Sequence, residues 1–230
     1  MTPSVQFLGL TIHEPTTMVT DLLITMVGWL LASRLLLDEK HGRYQSRFYW
    51  GVGLLFISLG ALLGAISHGL AAYLGDTADT LIWKSTVYTV GFSMVFAVGG
   101  TLAGAPLAAG VRRFFWLVNL AAFLTYAAWM INHDDFLYVI YYYVPAMLLI
   151  AALQVWALLG KQSHGAGWLL AGVVVTLLGA VVQQSGFALH THFNYNDMFH
   201  LIQVVGLLLF FRGISRLTGQ ERAARGGNPA

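Results

Sequence analysis

The chain contains 230 residues, of which 57% are hydrophobic and only 10% are Asp, Glu, Lys or Arg. Soluble domains carry roughly 25% charged residues, and a water-soluble globule of this composition could not cover its apolar surface. Disordered chains, which are rich in charge and poor in aromatic residues, are excluded by the same values. A net charge of +2 is too small to indicate a nucleic acid partner, and the absence of cysteine excludes disulfides and thiolate metal sites. The composition therefore predicts a multi-pass membrane protein.

Seven segments are each apolar enough to form a transmembrane helix, which needs about 20 mainly apolar residues. In chain order they cover roughly residues 17–37, 48–74, 80–104, 111–131, 136–160, 166–189 and 195–213. Their hydrophobicity is continuous, unlike the alternating pattern of outer-membrane barrel strands. We therefore predict an all-α protein with a short external N-terminus over 1–16, a seven-helix transmembrane bundle over 17–213 and a disordered cytoplasmic tail over 214–230.

The distribution of charge predicts how these spans are oriented. Eleven of the twelve basic residues flank the odd-numbered connections or follow the last span, and seven of the ten acidic residues lie towards the opposite side. Because cytoplasmic loops carry the excess of Lys and Arg, we expect the N-terminus outside and the C-terminus in the cytoplasm of a plasma (inner) membrane. The exception is Lys84, which is expected to pair with Asp76 or Asp79 or to extend to the membrane interface.

Three ionisable residues fall within spans and near the predicted outer face. Asp21 lies in the first span, His68 late in the second and His200 early in the seventh. An ionisable side chain in a transmembrane helix is costly unless it is paired or borders a wet cavity, so each is a candidate functional residue. The structural alternative for His68 is a single hydrogen bond between two helices. Together with Asp197 and Lys84, these residues predict a polar pocket beneath the outer face.

The spacing of His192, Asn196 and His200 favours metal binding. These residues are at i, i+4 and i+8, so they share one helix face if the seventh helix begins early enough. Two imidazoles on such a face, with one from another helix, form a three-ligand metal site with an open position for water. Nearby carboxylates would orient the imidazoles or act as general bases, and the candidates are Asp21, Asp76, Asp79 and Asp197. The alternative for His192 is a solvated loop residue.

This arrangement resembles the pattern of a known family. A His late in the second of seven spans, an Asp eleven residues later and a polar-xxx-His sequence at the start of the seventh are similar to the CREST superfamily, which contains alkaline ceramidases and progestin/adipoQ receptors. The resemblance implies a seven-helix membrane protein that uses zinc to hydrolyse an amide or ester bond of a lipid. Matched position by position, it assigns zinc ligation to His68 and His200, and a catalytic role to Asp79 or to Asp76 in its place.

The sequence departs from the family pattern at two positions. Gly64 stands where the family has Ser, and Asn196 stands where it has the first His of the seventh span. Asn is a poorer zinc ligand than imidazole, so the third ligand would have to come from His192 or Asp197.

Two functions therefore remain open. The first is an integral membrane zinc-dependent hydrolase that acts on a lipid-like substrate from the outer leaflet, with the metal activating water. The second is a non-enzymatic seven-helix sensor, receptor or ligand-binding protein with a degenerate metal site, which the missing Ser and His favour. A haem held by His68 and His200 and an ion-coupled transporter are further alternatives. Nothing in the sequence indicates the oligomeric state.

Overall fold

The computed structural model describes residues 3–37, 45–160 and 165–224, with side chains as far as residue 216. Most of this part of the chain is helical, which confirms the all-α class. The α-helices found there are α1 (Pro15–Leu37), α2 (Gln45–Leu70), α3 (Asp76–Gly104), α4 (Ala109–Trp129), α5 (Phe136–Leu159), α6 (Ala166–Gln184) and α7 (Tyr195–Ala224). Several basic residues used to predict the orientation, among them Lys40 and Lys161, lie outside the described residues.

Each predicted span corresponds to one helix, but some helix ends differ from the prediction. α6 ends at Gln184 rather than near residue 189, and the chain turns at Gly186, whose φ of 66° is a left-handed conformation that glycine adopts without strain. α7 continues past residue 213 to Ala224, so the first part of the predicted disordered tail is helical. The rest of that tail, 225–230, is not among the described residues.

Six of the described helices are long and apolar enough to cross a membrane. The helices that meet this description are α1, α2, α3, α5, α6 and α7. α4 does not meet it, since its 21 residues include Arg112, Arg113 and Asn119, which lower its mean hydropathy. The length and apolar composition expected of membrane-spanning helices are therefore confirmed for six of the seven helices.

The six apolar helices pack into a closed ring. α2 contacts both α1 and α3, α5 packs on α3 and α6, and α7 closes the ring between α6 and α1. α4 lies outside this ring against α3 and α5 and buries only three side chains, Asn119, Phe123 and Tyr126. Each of the six ring helices contributes side chains to one interior cavity.

Two basic side chains stabilise the C-terminal ends of helices. Arg47, at the start of α2, donates from Nε to the carbonyl oxygen of Leu35 in α1 at 2.7 Å. Lys84, in the third turn of α3, donates from Nζ to the carbonyl oxygens of Met130 and His133, each at 2.6 Å. Both cations thus lie at the negative end of a helix dipole, and Lys84 finds its partners in the connection after α4 rather than in the carboxylates considered above.

The predicted external segment contains a β-hairpin. β1 (Ser4–Phe7) pairs in antiparallel register with β2 (Leu10–His13) through a turn at Gly9, whose φ is 80°. The backbone N–H of Thr11 donates to Oη of Tyr73, in the short turn after α2, at 2.7 Å. The hairpin therefore lies at the end of the bundle where α1, α3, α5 and α7 begin, which we call the N-terminal end.

Candidate functional site

Asp21, His68 and His200 come together at the N-terminal end of the bundle, on α1, α2 and α7, and all three border the cavity. Asp21 and His200 are buried, with exposed fractions of 5% and 9%. Gly64, one turn before His68, leaves space for the aspartate, since a Cβ atom at this glycine would lie 3.1 Å from Oδ2 of Asp21. The space that a Ser side chain would need at position 64 is thus partly taken by the Asp21 carboxylate.

Both ring nitrogens of His200 have polar neighbours. Nε2 lies 3.4 Å from Oδ1 of Asp21, and Nδ1 lies 2.9 Å from Oγ1 of Thr20. A neutral imidazole has one donor and one acceptor, so when Nε2–H donates to Asp21, the Thr20 hydroxyl donates to Nδ1 and not to the carbonyl oxygen of Thr17, which lies 3.1 Å away. In the other tautomer the lone pair of Nε2 faces the carboxylate, which requires a proton or a cation between them. Oδ2 of Asp21 is buried without a hydrogen-bond partner among the described residues, so this pair retains an acceptor that a ligand could satisfy.

Glu14 holds the imidazole of His68 in place. Nδ1 of His68 lies 2.9 Å from Oε2 of Glu14, the residue that joins the hairpin to α1. Glu14 has a φ of 40°, a left-handed conformation that non-glycine residues rarely adopt. The hydrogen bond with His68 holds the pKa of Glu14 below its ordinary value, although partial burial opposes this shift. Since Nδ1 of His68 is engaged by Glu14, Nε2 is the ring nitrogen left to interact with a ligand.

The lowered pKa of Glu14 predicts an acid-sensitive contribution to stability. A carboxyl group with a lowered pKa stabilises the folded state above its unfolded pKa, near 4.5, and this contribution is lost as the pH falls through the folded pKa. We expect Glu14→Gln to melt at a lower temperature than the wild type at neutral pH, and the difference to disappear in acid. Thermal unfolding in detergent across this pH range measures it, with the exposed Asp76→Asn as control. A difference that persists unchanged in acid would contradict the prediction.

Asp197 and Asn196 fix the start of α7. Asp197 is fully buried, where Oδ1 accepts a hydrogen bond from Oγ1 of Thr17 at 2.9 Å and Oδ2 accepts one from the backbone N–H of Asn194 at 2.6 Å. Asn196 borders the cavity, and its side-chain oxygen accepts a hydrogen bond from Nε2 of Gln183 at 3.3 Å. Because both carboxylate oxygens of Asp197 are engaged, this residue attaches α7 to α1.

His192 lies apart from the cavity-lining histidines. α7 begins only at Tyr195, so His192 belongs to the preceding loop, and the common helix face expected for His192, Asn196 and His200 does not form. The His192 side chain is exposed, and its ring lies against that of His190 with centroids 5.8 Å apart. This geometry agrees with the loop alternative that the sequence left open.

The two predicted catalytic aspartates are at the first turns of α3. Asp76 is exposed, and Asp79 is partly buried, with Oδ1 accepting a hydrogen bond from Oγ of Ser67 at 2.7 Å. Ser67 directly precedes His68, so Asp79 contacts the turn of α2 that carries His68 but binds Ser67 rather than the imidazole. The carboxylate next to His200 is Asp21 instead.

Sequence reasoning missed three polar side chains at this site: Glu14, Thr17 and Thr20. Thr17, Thr20 and Asp21 recur at i, i+3 and i+4, which places them on one face of α1, and this spacing in an apolar helix was an available signal. Glu14 offered none, because only the packing of the hairpin against α2 brings it to His68.

The cavity has a volume of about 490 Å³, within the roughly 300–1,000 Å³ range of small-molecule sites. Its lining at the N-terminal end is polar and includes Asp21, His68, Asp135, Gln183, Asn196 and His200. Its deeper lining is mainly apolar and includes Trp50, Leu54, Ile57, Met94, Leu207 and Phe210. The lining residues that the structure describes include no Lys or Arg. The cavity therefore has a polar mouth with acidic and imidazole groups and a mainly apolar interior, in which Nε1 of Trp50, Oη of Tyr143 and Oγ1 of Thr176 are buried without a hydrogen-bond partner among the described residues.

The mouth has the donor types that zinc prefers but not their arrangement. Imidazole and carboxylate are both zinc ligands. Within residues 3–37, 45–160 and 165–224, however, no three His, Cys, Asp or Glu side chains are grouped so that they could hold a metal ion. The Nδ1 atoms of His68 and His200 contact Glu14 and Thr20, so only their Nε2 atoms could bind a metal, and Nε2 of His200 faces Asp21. These residues as placed do not fit a three-ligand zinc site.

The fold and the cavity define the chain as an α-helical membrane protein with an interior site at one end of its helix ring. Residues 16–218 match a family of unknown function, DUF6962, and the chain belongs to this family. No curated protein matches the chain.

Proposed function

We propose that the protein binds an amphiphilic, lipid-like ligand in its interior cavity, with the polar head at Asp21, His68 and His200. The observation that carries this proposal is the division of one continuous cavity into a polar mouth and an apolar interior. Buried apolar surface contributes about 25 cal/mol per Å², so the interior favours a hydrocarbon chain over a polar solute. This function corresponds to the non-enzymatic ligand-binding protein weighed from the sequence.

The acidic residues at the mouth of the cavity indicate the charge of the ligand head group that would bind there. Two carboxylates, Asp21 and Asp135, border the cavity, and Glu14 adds a third behind His68. The absence of Lys and Arg from the described lining leaves an anionic head without a permanently charged cationic partner. An unpaired buried charge is costly, so a neutral or cationic head with hydrogen-bond donors suits this mouth better than a carboxylate or phosphate. Oδ2 of Asp21 would accept from such a donor.

A binding experiment tests the proposal directly. Purified protein in nanodiscs is exposed to a 1-monoacylglycerol, a primary alkylamine and a fatty acid of equal chain length, and bound ligand is measured by native mass spectrometry. We expect the first two to bind more tightly than the fatty acid. Asp21→Asn and His68→Ala are expected to weaken binding at least about tenfold, the effect of one lost hydrogen bond to a charged group. The exposed His190→Ala is the matched control. Tightest binding of the fatty acid, or no binding of any chain, would overturn the proposal.

We further propose that all seven helices span the plasma membrane, with the N-terminal end of the bundle outside. α4 is 21 residues long, about 31 Å at 1.5 Å per residue, which is enough for a hydrocarbon core of about 30 Å. The buried side chain of Asn119 on α4 donates to the carbonyl oxygen of Val95, so its polarity is directed into the protein. The excess of basic residues at the opposite end supports a cytoplasmic location for that end. Labelling of single cysteines at Leu8 and Arg216 by a membrane-impermeant reagent, expected only at Leu8 in intact cells, tests this orientation.

A zinc-dependent lipid hydrolase of CREST type is the second candidate function. It is favoured by the buried, unpartnered Oδ2 of Asp21, which borders the same cavity as His68 and His200. Such a site would need the mouth to rearrange so that a third ligand joins the two imidazoles. Stoichiometric zinc in the purified protein, lost in His68→Ala and His200→Ala and accompanied by amide or ester hydrolysis, would support this candidate. Substoichiometric zinc that both variants leave unchanged would exclude it.

A further inference from the structure

The deep end of the cavity is closed by two aromatic rings. Trp50 on α2 and Phe210 on α7 both line the cavity and meet with ring centroids 5.3 Å apart. Both are buried, with exposed fractions of 2% and 4%. We call this pair the floor of the cavity.

Each floor ring is fixed against a glycine of a neighbouring helix. The Trp50 ring packs on Gly100 of α3, where any Cβ atom would overlap with Cδ1 of the indole. The Phe210 ring packs on Gly172 of α6, where a Cβ atom would lie only 2.7 Å from Cδ1 and Cε1 of the ring. Because no side chain separates the rings from these helices, neither ring can move outward without displacing backbone. The floor is therefore a rigid boundary.

The depth of the cavity suits an extended hydrocarbon chain. Along α2, 18 residues separate His68 at the mouth from Trp50 at the floor, which corresponds to about 27 Å of helix.

We propose that Trp50 and Phe210 determine ligand specificity by setting the maximum length of an unbranched hydrocarbon chain that the cavity accepts. A chain whose head is held at Asp21 and His68 ends against these rings, and a longer chain has to bend or lift its head from the mouth. Bending within a packed interior costs contacts, and lifting the head leaves the carboxylate of Asp21 unpaired. This inference rests on the proposed ligand-binding function.

The test is a competition among chain lengths. The protein in nanodiscs is equilibrated with an equimolar series of 1-monoacylglycerols that differ only in chain length, and native mass spectrometry reads which lengths are bound. We expect the wild type to show a sharp upper limit of chain length. Phe210→Ala removes part of the floor and is expected to raise this limit by at least about two carbons, since the space of a deleted ring is only partly refilled. Leu207→Trp, one turn nearer the mouth, fills the interior and is expected to lower the limit.

The control for aromatic deletion is Phe48→Ala, on the same helix as Trp50 but 51% exposed, for which the limit should stay unchanged. Melting temperatures identify any variant that fails to fold, and Leu207→Trp tests the inference independently of Phe210→Ala because the shift has the opposite sign. If neither variant shifts the upper limit of chain length, Trp50 and Phe210 do not set that limit, and the proposal of ligand binding is unaffected. Absence of any bound monoacylglycerol or alkylamine in the wild type overturns the proposed function itself.

Discussion

Replacing His200 with alanine is expected to lower the free energy of unfolding by about 3 kcal/mol, because it breaks a buried polar pair by removing one partner. Nε2 of His200 lies 3.4 Å from Oδ1 of Asp21, and Oδ2 of that aspartate already lacks a partner among the described residues. The variant would leave neither carboxylate oxygen of Asp21 with a close polar partner among the described residues. It would also remove the contact between Nδ1 and Thr20. Equilibrium unfolding in mixed micelles, or the melting temperature, measures the loss.

A double-mutant cycle distinguishes this mechanism from a simple loss of packing. When both members of a buried polar pair are replaced by apolar residues, the result is often neutral or stabilising. We therefore expect Asp21→Leu/His200→Leu to be more stable than His200→Leu, and its cost to differ strongly from the sum of the costs of Asp21→Leu and His200→Leu. The exposed His190→Ala should change stability by no more than about 0.5 kcal/mol. Additive costs in the double variant would show that the two side chains contribute independently.

Lys84→Met is expected to lower the free energy of unfolding by about 2 kcal/mol, the typical magnitude for hydrogen bonds that involve a charged group. Its ammonium group donates to the carbonyl oxygens of Met130 and His133 at 2.6 Å, and to that of Ile131 at 3.4 Å. Methionine retains the length and apolar stem of the side chain but leaves these carbonyl oxygens without their donor. α4 is attached to the ring by few buried side chains, so the connection after it is expected to loosen first.

The control for Lys84→Met is Arg113→Met, which also removes one positive charge, but from an exposed position on α4. Its effect should remain within about 0.5 kcal/mol. Hydrogen exchange provides a second measurement, since loss of the Lys84 contacts should increase exchange in the segment from Trp129 to Asp135 more than in α2. Equal effects of the two substitutions would mean that the carbonyl contacts of Lys84 add nothing to the stability of the bundle.

Long-range polar contacts account for most of what the sequence could not predict about the site. His68 and His200 were identified because an ionisable residue in an apolar helix is unusual wherever it occurs. Glu14 could not be identified in this way, since it lies outside the apolar spans and reaches His68 only when the hairpin packs on α2. The position of His192 depended on where α7 begins, and Asp197 fixes that start through its hydrogen bonds to Thr17 and Asn194.

The sequence by itself determined the class of this protein and the end of the bundle that holds its polar chemistry. Uninterrupted apolar segments must form helices in a bilayer, because every backbone polar group there has to be satisfied within its own segment. Only the tertiary structure decided which carboxylate lies beside His200, that the ring encloses a cavity, and that Trp50 and Phe210 close it. These features depend on the relative rotation of helices, which is set by close packing of side chains distant in the sequence rather than by hydrophobicity along any one segment.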